Sequence, residues 1–145
     1  MVLSENTSGS EPAKRTLPTG RCMCGGVEFE VHGGLRDVWN CHCYRCRQFT
    51  GHYLPGTSAH PDEVIFHHDE TLAWFSPVPT VHYGFCQRCG SSLFWKADAS
   101  PDRLAIAAGC LAQPTGLCTT TSWWTAEIGD YHQQQPGLTE FDYES

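Results

Sequence analysis

The sequence predicts an all-β domain built from two small packed sheets. Three observations predict it. Val27, Phe29 and Val31 alternate with Glu28 and Glu30, the period of a half-buried strand. Short strand-like runs follow one another, cut by Pro and Gly. No window sustains the 3.6-residue period of a long helix.

Residues 1–16 are rich in Ser, Glu, Thr, Gly and Pro and read as a flexible N-terminal tail. Structure should begin near Leu17–Gly20 and continue as one domain over 17–145. After the 27–31 strand, Gly33-Gly34 marks a turn and Val38-Trp39-Asn40 runs extended. One short helical turn fits residues 44–49. Further strands are expected at 63–68, 72–75, 81–85, 93–97, 104–108 and 119–125. Pro55-Gly56, Pro61, Pro77, Pro79, Gly109 and Pro114-Thr115-Gly116 read as the breaks between elements.

The chain has 145 residues, 40% of them hydrophobic and 17% charged, enough to bury one core. Its formal charge is −7, and Glu127, Asp130, Glu140, Asp142 and Glu144 supply −5 of it from the last 20 residues. That terminal segment reads as a solvated acidic tail. An acidic balance argues against nucleic acid as partner, because phosphate binding needs a basic face. No run approaches the roughly 20 apolar residues of a membrane span. The N-terminus lacks the apolar stretch of a secretory signal, so a cytoplasmic protein is expected.

Nine cysteines stand out, and seven fall in tight clusters: Cys22-Met23-Cys24, Cys41-His42-Cys43-Tyr44-Arg45-Cys46 and Cys86-Gln87-Arg88-Cys89. An odd count in tight clusters points to metal ligation rather than a secreted disulfide framework. Zinc fits best. Tetrahedral Zn–S bonds of about 2.3 Å put sulfurs roughly 3.8 Å apart. Cysteines two apart meet this spacing on one face of an extended strand, and cysteines three apart meet it across a tight turn. Gly25-Gly26 and Gly90 let the backbone turn under the metal.

Seven thiols divide naturally into four plus three. Cys22, Cys24, Cys86 and Cys89 would close a structural site. Cys41, Cys43 and Cys46 would leave a fourth position open for water or substrate, as in a catalytic site. Spacing alone also allows one four-thiolate site with three loose thiols. Arg21, Arg45, Arg47 and Arg88 lie in or beside the clusters, where they could offset thiolate charge or bind carboxylates of an acidic thiol substrate. Cys110 and Cys118 are isolated and expected to be buried. His42 should face away from its neighbouring ligands. The general base is not identified by the sequence, and His52 and His42 are its candidates.

With these stretches in hand, the chain resembles the glutathione-dependent formaldehyde-activating family, which includes the domain of centromere protein V. The matching segments are Gly20-Arg21-Cys22-Met23-Cys24-Gly25-Gly26-Val27, the middle cluster through Arg47 with Thr50-Gly51, and Phe85-Cys86-Gln87-Arg88-Cys89-Gly90-Ser91. Ala108-Gly109-Cys110-Leu111, Trp124-Thr125 and Leu138-Thr139-Glu140-Phe141 are weaker echoes. The resemblance implies two zinc ions per chain: a structural one on Cys22, Cys24, Cys86 and Cys89, and a catalytic one on Cys41, Cys43 and Cys46. It implies a fold similar to type B methionine sulfoxide reductases and a Rab-binding chaperone. It implies a carbon–sulfur lyase, with S-(hydroxymethyl)glutathione synthesis as the founding activity and glutathione as co-substrate.

One departure is visible. Many relatives carry a His-hydrophobic pair before the late Trp-Thr, where this chain reads Thr121-Ser122-Trp123-Trp124-Thr125. Trp123-Trp124 is expected to pack in the core or to line an apolar pocket. The activity expected is a zinc-dependent step on a small thiol or thioether, either adding glutathione sulfur to a carbonyl or cleaving a C–S bond of a glutathionylated metabolite. The alternatives are a non-catalytic zinc-stabilised protein-binding module, and a redox role through Cys43 or Cys46 with zinc release.

Overall fold

The computed structural model describes residues 16–144, so the tail expected over 1–16 lies, except for Thr16, outside the described residues. A three-stranded sheet holds β1 (Thr19–Arg21), β2 (Glu28–Val31) and β5 (Val64–His68), in the order β1-β2-β5. The second sheet holds β3 (Val38–Cys41), β4 (Leu54–Ala59), β6 (Leu72–Val78), β7 (Val81–Cys86), β8 (Ser92–Ala97), β9 (Leu104–Ala107), β10 (Thr119–Trp123) and β11 (Thr139–Glu140). Its order is β11-β10-β3-β4-β9-β8-β7-β6. The fold is therefore all-β in two sheets, one of them larger than the sequence implied. Neighbouring strands are antiparallel except β10, which runs parallel to both β3 and β11.

β9 shows how the core is divided. Its four residues are all buried. Leu104 and Ile106 join Phe29, Val31, Leu93 and Phe94 in the layer beneath the small sheet. Ala105 and Ala107 join Trp39, Leu54 and Tyr83 in a second cluster. A strand buried on both faces reads as a continuous apolar run rather than an alternating one. Phe29 anchors the small sheet, with its ring 5.2 Å from that of Phe94 and 5.9 Å from that of Phe66.

β4 is the strand that the sequence hid. Pro55-Gly56 reads as a break, yet β4 pairs with β3 on one side and β9 on the other. Pro55 is tolerated because β9 pairs only from Gly56 onward, the chain beyond Ala107 having turned into a 3-10 turn. Gly56 is needed because a β-carbon there would run into the Trp39 indole. Pro77 also lies within a strand, and again at the edge, since β6 ends the large sheet and its pairing slips between Phe75 and Val78.

The single α-helix, α1 (Tyr44–Thr50), occupies the expected short helical turn. Cys43 caps its start, with Sγ accepting from Cys46 N, and Gly51 at φ 84° ends it. No helix among the described residues is long and apolar enough to cross a membrane.

Candidate functional site

The seven clustered thiols gather into the two groups that counting suggested. Ligand atoms of Cys22, Cys24, Cys86 and Cys89 all lie within 4.8 Å of one another, as do those of Cys41, Cys43 and Cys46. Cys22, Cys86 and Cys89 of the first group belong to the core layer under the small sheet, and the second group belongs to the other cluster.

In the four-thiol group Cys22 and Cys24 lie in a tight turn rather than on a strand face, while Cys86 ends β7 and Cys89 follows in a second tight turn. β1 ends at Arg21, and Met23 between the two cysteines is 82% exposed. Gly25 at φ 79° donates its N–H to Cys22 O, and Gly90 at φ 79° donates to Cys86 O. A side chain at either glycine would be strained, so the sequence Cys-Gly closes each turn. The sulfurs of Cys22 and Cys24 are 3.5 Å apart, and those of Cys24 and Cys86 are 3.6 Å apart. These spacings fit tetrahedral zinc, whose sulfurs sit about 3.8 Å apart.

Donors surround these sulfurs. Val27 N–H reaches Cys22 Sγ at 3.3 Å, and Cys89 N–H reaches Cys86 Sγ at 3.4 Å. Arg88 Nε donates to Cys24 Sγ at 3.2 Å, which in turn pushes the guanidinium pKa up. The Ser91 hydroxyl beside Cys89 pulls that thiol down to about 5. Burial pushes Cys22 up. Donors aimed at sulfur favour thiolate and orient it toward an ion.

The three-thiol group straddles the end of β3 and the start of α1. Cys41 and Cys46 are buried and Cys43 is half-buried. Hydrogen bonds from Cys41 and Cys46, with the Cys46 N–H at 3.4 Å, hold the Cys43 thiol far below its ordinary value. The same contacts push Cys41 up to about 12 and raise Cys46. The Tyr83 hydroxyl lies 3.7 Å from Cys46 Sγ, and burial keeps that phenol protonated.

A cavity of about 170 Å³ opens onto these sulfurs. Trp39, Leu54, Val81, Trp95, Trp123 and Trp124 form its apolar walls, and Arg45, Arg103 and Glu144 bring charge. Arg45 and Tyr83 also line a larger apolar groove of about 560 Å³ with Phe49, Phe75 and Phe85. Trp123 serves in both ways that the sequence allowed: it stacks on Trp39 at 5.1 Å and 9°, and it faces the triad cavity. Trp124 follows at φ 59°, a left-handed backbone that is costly for a bulky residue. Its indole meets Tyr143 edge-on at 5.3 Å.

The remaining candidates are placed elsewhere. His42 is 1% exposed, and its ring packs on Tyr53 and His132. His52 is not among the residues lining the triad cavity; its ring lies against Tyr53, Tyr131 and His132, with Nδ1 3.2 Å from Tyr131 Oη. Ser122 is fully buried and accepts from Gln134 Nε2 at 2.8 Å. Cys110 is half-buried, but Cys118 is exposed, against expectation, because it lies just outside β10. Arg103, Tyr83 and Glu144 carried no motif signal. Trp39 did: it sits two residues before Cys41 in a strand, so both side chains fall on one face.

The profile of the family described as glutathione-dependent formaldehyde-activating enzyme matches residues 17–127. The chain belongs to this family. A solved structure of a Rhodobacter sphaeroides protein, determined as a structural-genomics target, is also similar. It shares 24% identity and a TM-score of 0.55 over 70% of this chain and 99% of that one. At this identity the likeness shows the fold. The glutathione-dependent formaldehyde-activating family match contains all seven clustered cysteines, whereas Glu144 at the triad cavity lies beyond it.

Proposed function

We propose that the chain is a zinc-dependent carbon–sulfur lyase acting on glutathione or a glutathione adduct. Cys41, Cys43 and Cys46 hold the zinc at the reacting centre, and Cys22, Cys24, Cys86 and Cys89 hold a second, structural zinc. One observation carries this reading: the three-thiol group faces a cavity, while the other group supplies four thiols of its own. Three protein ligands with an open position mark a catalytic site, and four mark a structural one. That all nine cysteines are free suits a reducing, cytoplasmic setting.

Zinc bound at the triad supplies a Lewis acid that lets a substrate thiol persist as thiolate at neutral pH. In the synthetic direction the substrate sulfur donates its electron pair to a carbonyl carbon. The carbonyl pair moves to oxygen, which takes up the proton that the thiol gave. In the cleaving direction the C–S pair returns to sulfur, and the hydroxyl proton leaves. The indoles of Trp39, Trp95, Trp123 and Trp124 wall this space with apolar surface, so charges within it interact more strongly than in bulk water. Tyr83 keeps its proton beside Cys46 and so presents a donor, not a base. His52 has no part in this scheme, because its ring lies outside the triad cavity.

The test is zinc stoichiometry by native mass spectrometry, with and without glutathione. Wild type is expected to hold two zinc ions and Cys43→Ser one, with a glutathione adduct only in wild type. A single zinc unaffected by Cys43→Ser, with no glutathione bound, overturns the reading.

A further inference from the structure

The outer strands of the large sheet separate two faces. Along β7, Tyr83 faces the thiol-triad cavity, while His82 faces a different cavity of about 400 Å³ on the other side. β6 divides in the same way, with Phe75 in the apolar groove beside Tyr83 and Trp74 in the 400 Å³ cavity. Ser76, two residues beyond Trp74, shares the Trp74 face.

Three side chains on this face form a chain of hydrogen bonds. Ser76 Oγ lies 2.6 Å from His82 Nδ1, and His82 Nε2 lies 2.9 Å from Asp98 Oδ1. A carboxylate only accepts, so in the neutral ring the proton sits on Nε2 and Nδ1 is free to accept from the Ser76 hydroxyl. This order of nucleophile, base and orienting carboxylate is the one that activates a serine. The backbone holds it in place. Pairing of β6 with β7 slips between Phe75 and Val78, and the irregularity falls at Ser76. Asp98 N–H donates to Thr80 O at 3.0 Å just past the end of β8. The His82 side chain is 21% exposed, whereas Ser76 is open to solvent, so the base is sheltered and the nucleophile accessible.

The cavity beside them is suited to a polarised carbonyl. Lys96 pairs with His82 in register, and its ammonium lies 4.2 Å from the Trp74 ring centroid. Trp74, His82, Lys96 and Asp98 all line the cavity. A cation there opposes negative charge developing on oxygen. Pro77 follows Ser76 and has no N–H, so the backbone donor that usually follows a nucleophilic serine is missing and turnover is expected to be slow.

We propose that Ser76, His82 and Asp98 form a second, serine-based acyl-transfer site that takes activated esters. It is independent of the thiol reading. Ser76 Oγ gives an electron pair to the ester carbonyl carbon, and its proton passes to His82 Nδ1. The carbonyl pair moves to oxygen, with Lys96 as the nearby cation, and returns as the bond to the leaving alcohol breaks. The departing oxygen takes the proton from Nδ1. Water repeats these steps on the acyl-serine and releases the acid, so ester and water become acid and alcohol. Asp98 is a positioning residue that holds the ring.

The experiment treats zinc-loaded wild type with a fluorophosphonate and maps the labelled peptides by mass spectrometry. An adduct is expected on Ser76 and none on Ser100, a serine of the same cavity with no side-chain hydrogen bond to histidine among the described residues. His82→Gln should slow labelling about 100-fold, the lower end of a general base's contribution. Asp98→Asn should slow it too, and Asp98→Glu should restore it. Wild type should release p-nitrophenolate from p-nitrophenyl acetate faster than Ser76→Ala does.

Absence of a Ser76 adduct, or an adduct formed as fast in His82→Gln, overturns the proposal; the three side chains then only tie the edge strands together. Equal p-nitrophenolate release from wild type and Ser76→Ala overturns it as well. Thermal melting by circular dichroism checks each variant. Should Ser76→Ala or His82→Gln fail to fold, the contrast between Ser76 and Ser100 in wild type decides: equal labelling of the two serines sinks the site.

Discussion

Arg88 Nε donates a hydrogen bond to Cys24 Sγ at 3.2 Å, across 64 residues of sequence. The contact ties the turn after β7 to the turn after β1, and it brings a positive charge to sulfurs that carry negative charge in any metal-bound state. Arg88→Ala should weaken zinc at the four-thiol group by about tenfold, the lower end of the range for partners of metal ligands, because the guanidinium is exposed. Competition with a chromophoric chelator measures this. Unchanged affinity would mean that the arginine is a passive surface group.

Cys86→Ser and Cys43→Ser should differ in kind. Cys86 is fully buried in the core layer, and its site links β1 to β7. Structural zinc sites contribute on the order of 10 kcal/mol to folding, comparable with a whole domain's net stability. Cys86→Ser is therefore expected to abolish the cooperative thermal transition seen by circular dichroism. Cys43→Ser should keep it, with loss of the second zinc alone. The reverse order of stabilities would contradict the division into structural and reacting sites.

Gly56→Ala should destabilise the protein by about 1–3 kcal/mol, the usual cost of overpacking. The added methyl group meets the Trp39 indole in a strand pair that cannot separate, because β4 is held on both sides. Urea denaturation gives the value. Since Trp39 precedes Cys41 on the same strand face, zinc retention at the triad should fall too.

His52 is held below its ordinary pKa by burial and then by the charge of His132. A lowered histidine pKa means that the folded state prefers the neutral ring. That contribution to stability is present above pH 6.5 and is lost as the pH falls through the lowered folded value. His132→Asn should raise the His52 pKa toward 6.5 in an NMR titration and soften the loss of stability at acid pH. A His52 titration unmoved by the substitution would show that burial alone sets it.

Much of the fold was legible locally. The alternation of Val27, Phe29 and Val31 specified β2, and the cysteine-glycine pairs specified the two tight turns, because these signals reside in neighbouring residues. β4 was not legible. Pro55 and Gly56 are breakers by propensity, and only the short reach of β9 and the bulk of Trp39 make them strand residues. The cysteine pairs two apart were expected on strand faces, yet Cys22 and Cys24 lie in a turn, and Cys43 caps α1.

The sequence by itself determined which thiols exist, their three clusters and the family, while spacing left the division into four and three open until the fold gathered them. Those follow from ligand chemistry and short separations along the chain. The tertiary structure alone decided what surrounds each group. Tyr83 and Arg103 reach the triad cavity from distant strands and loops, and Trp123 does so because β10 pairs in parallel with β3, opposite Cys41. His52, six residues after Cys46, does not line it. Six residues of sequence span a helix and a reversing turn at Gly51, so proximity along the chain did not become proximity in space.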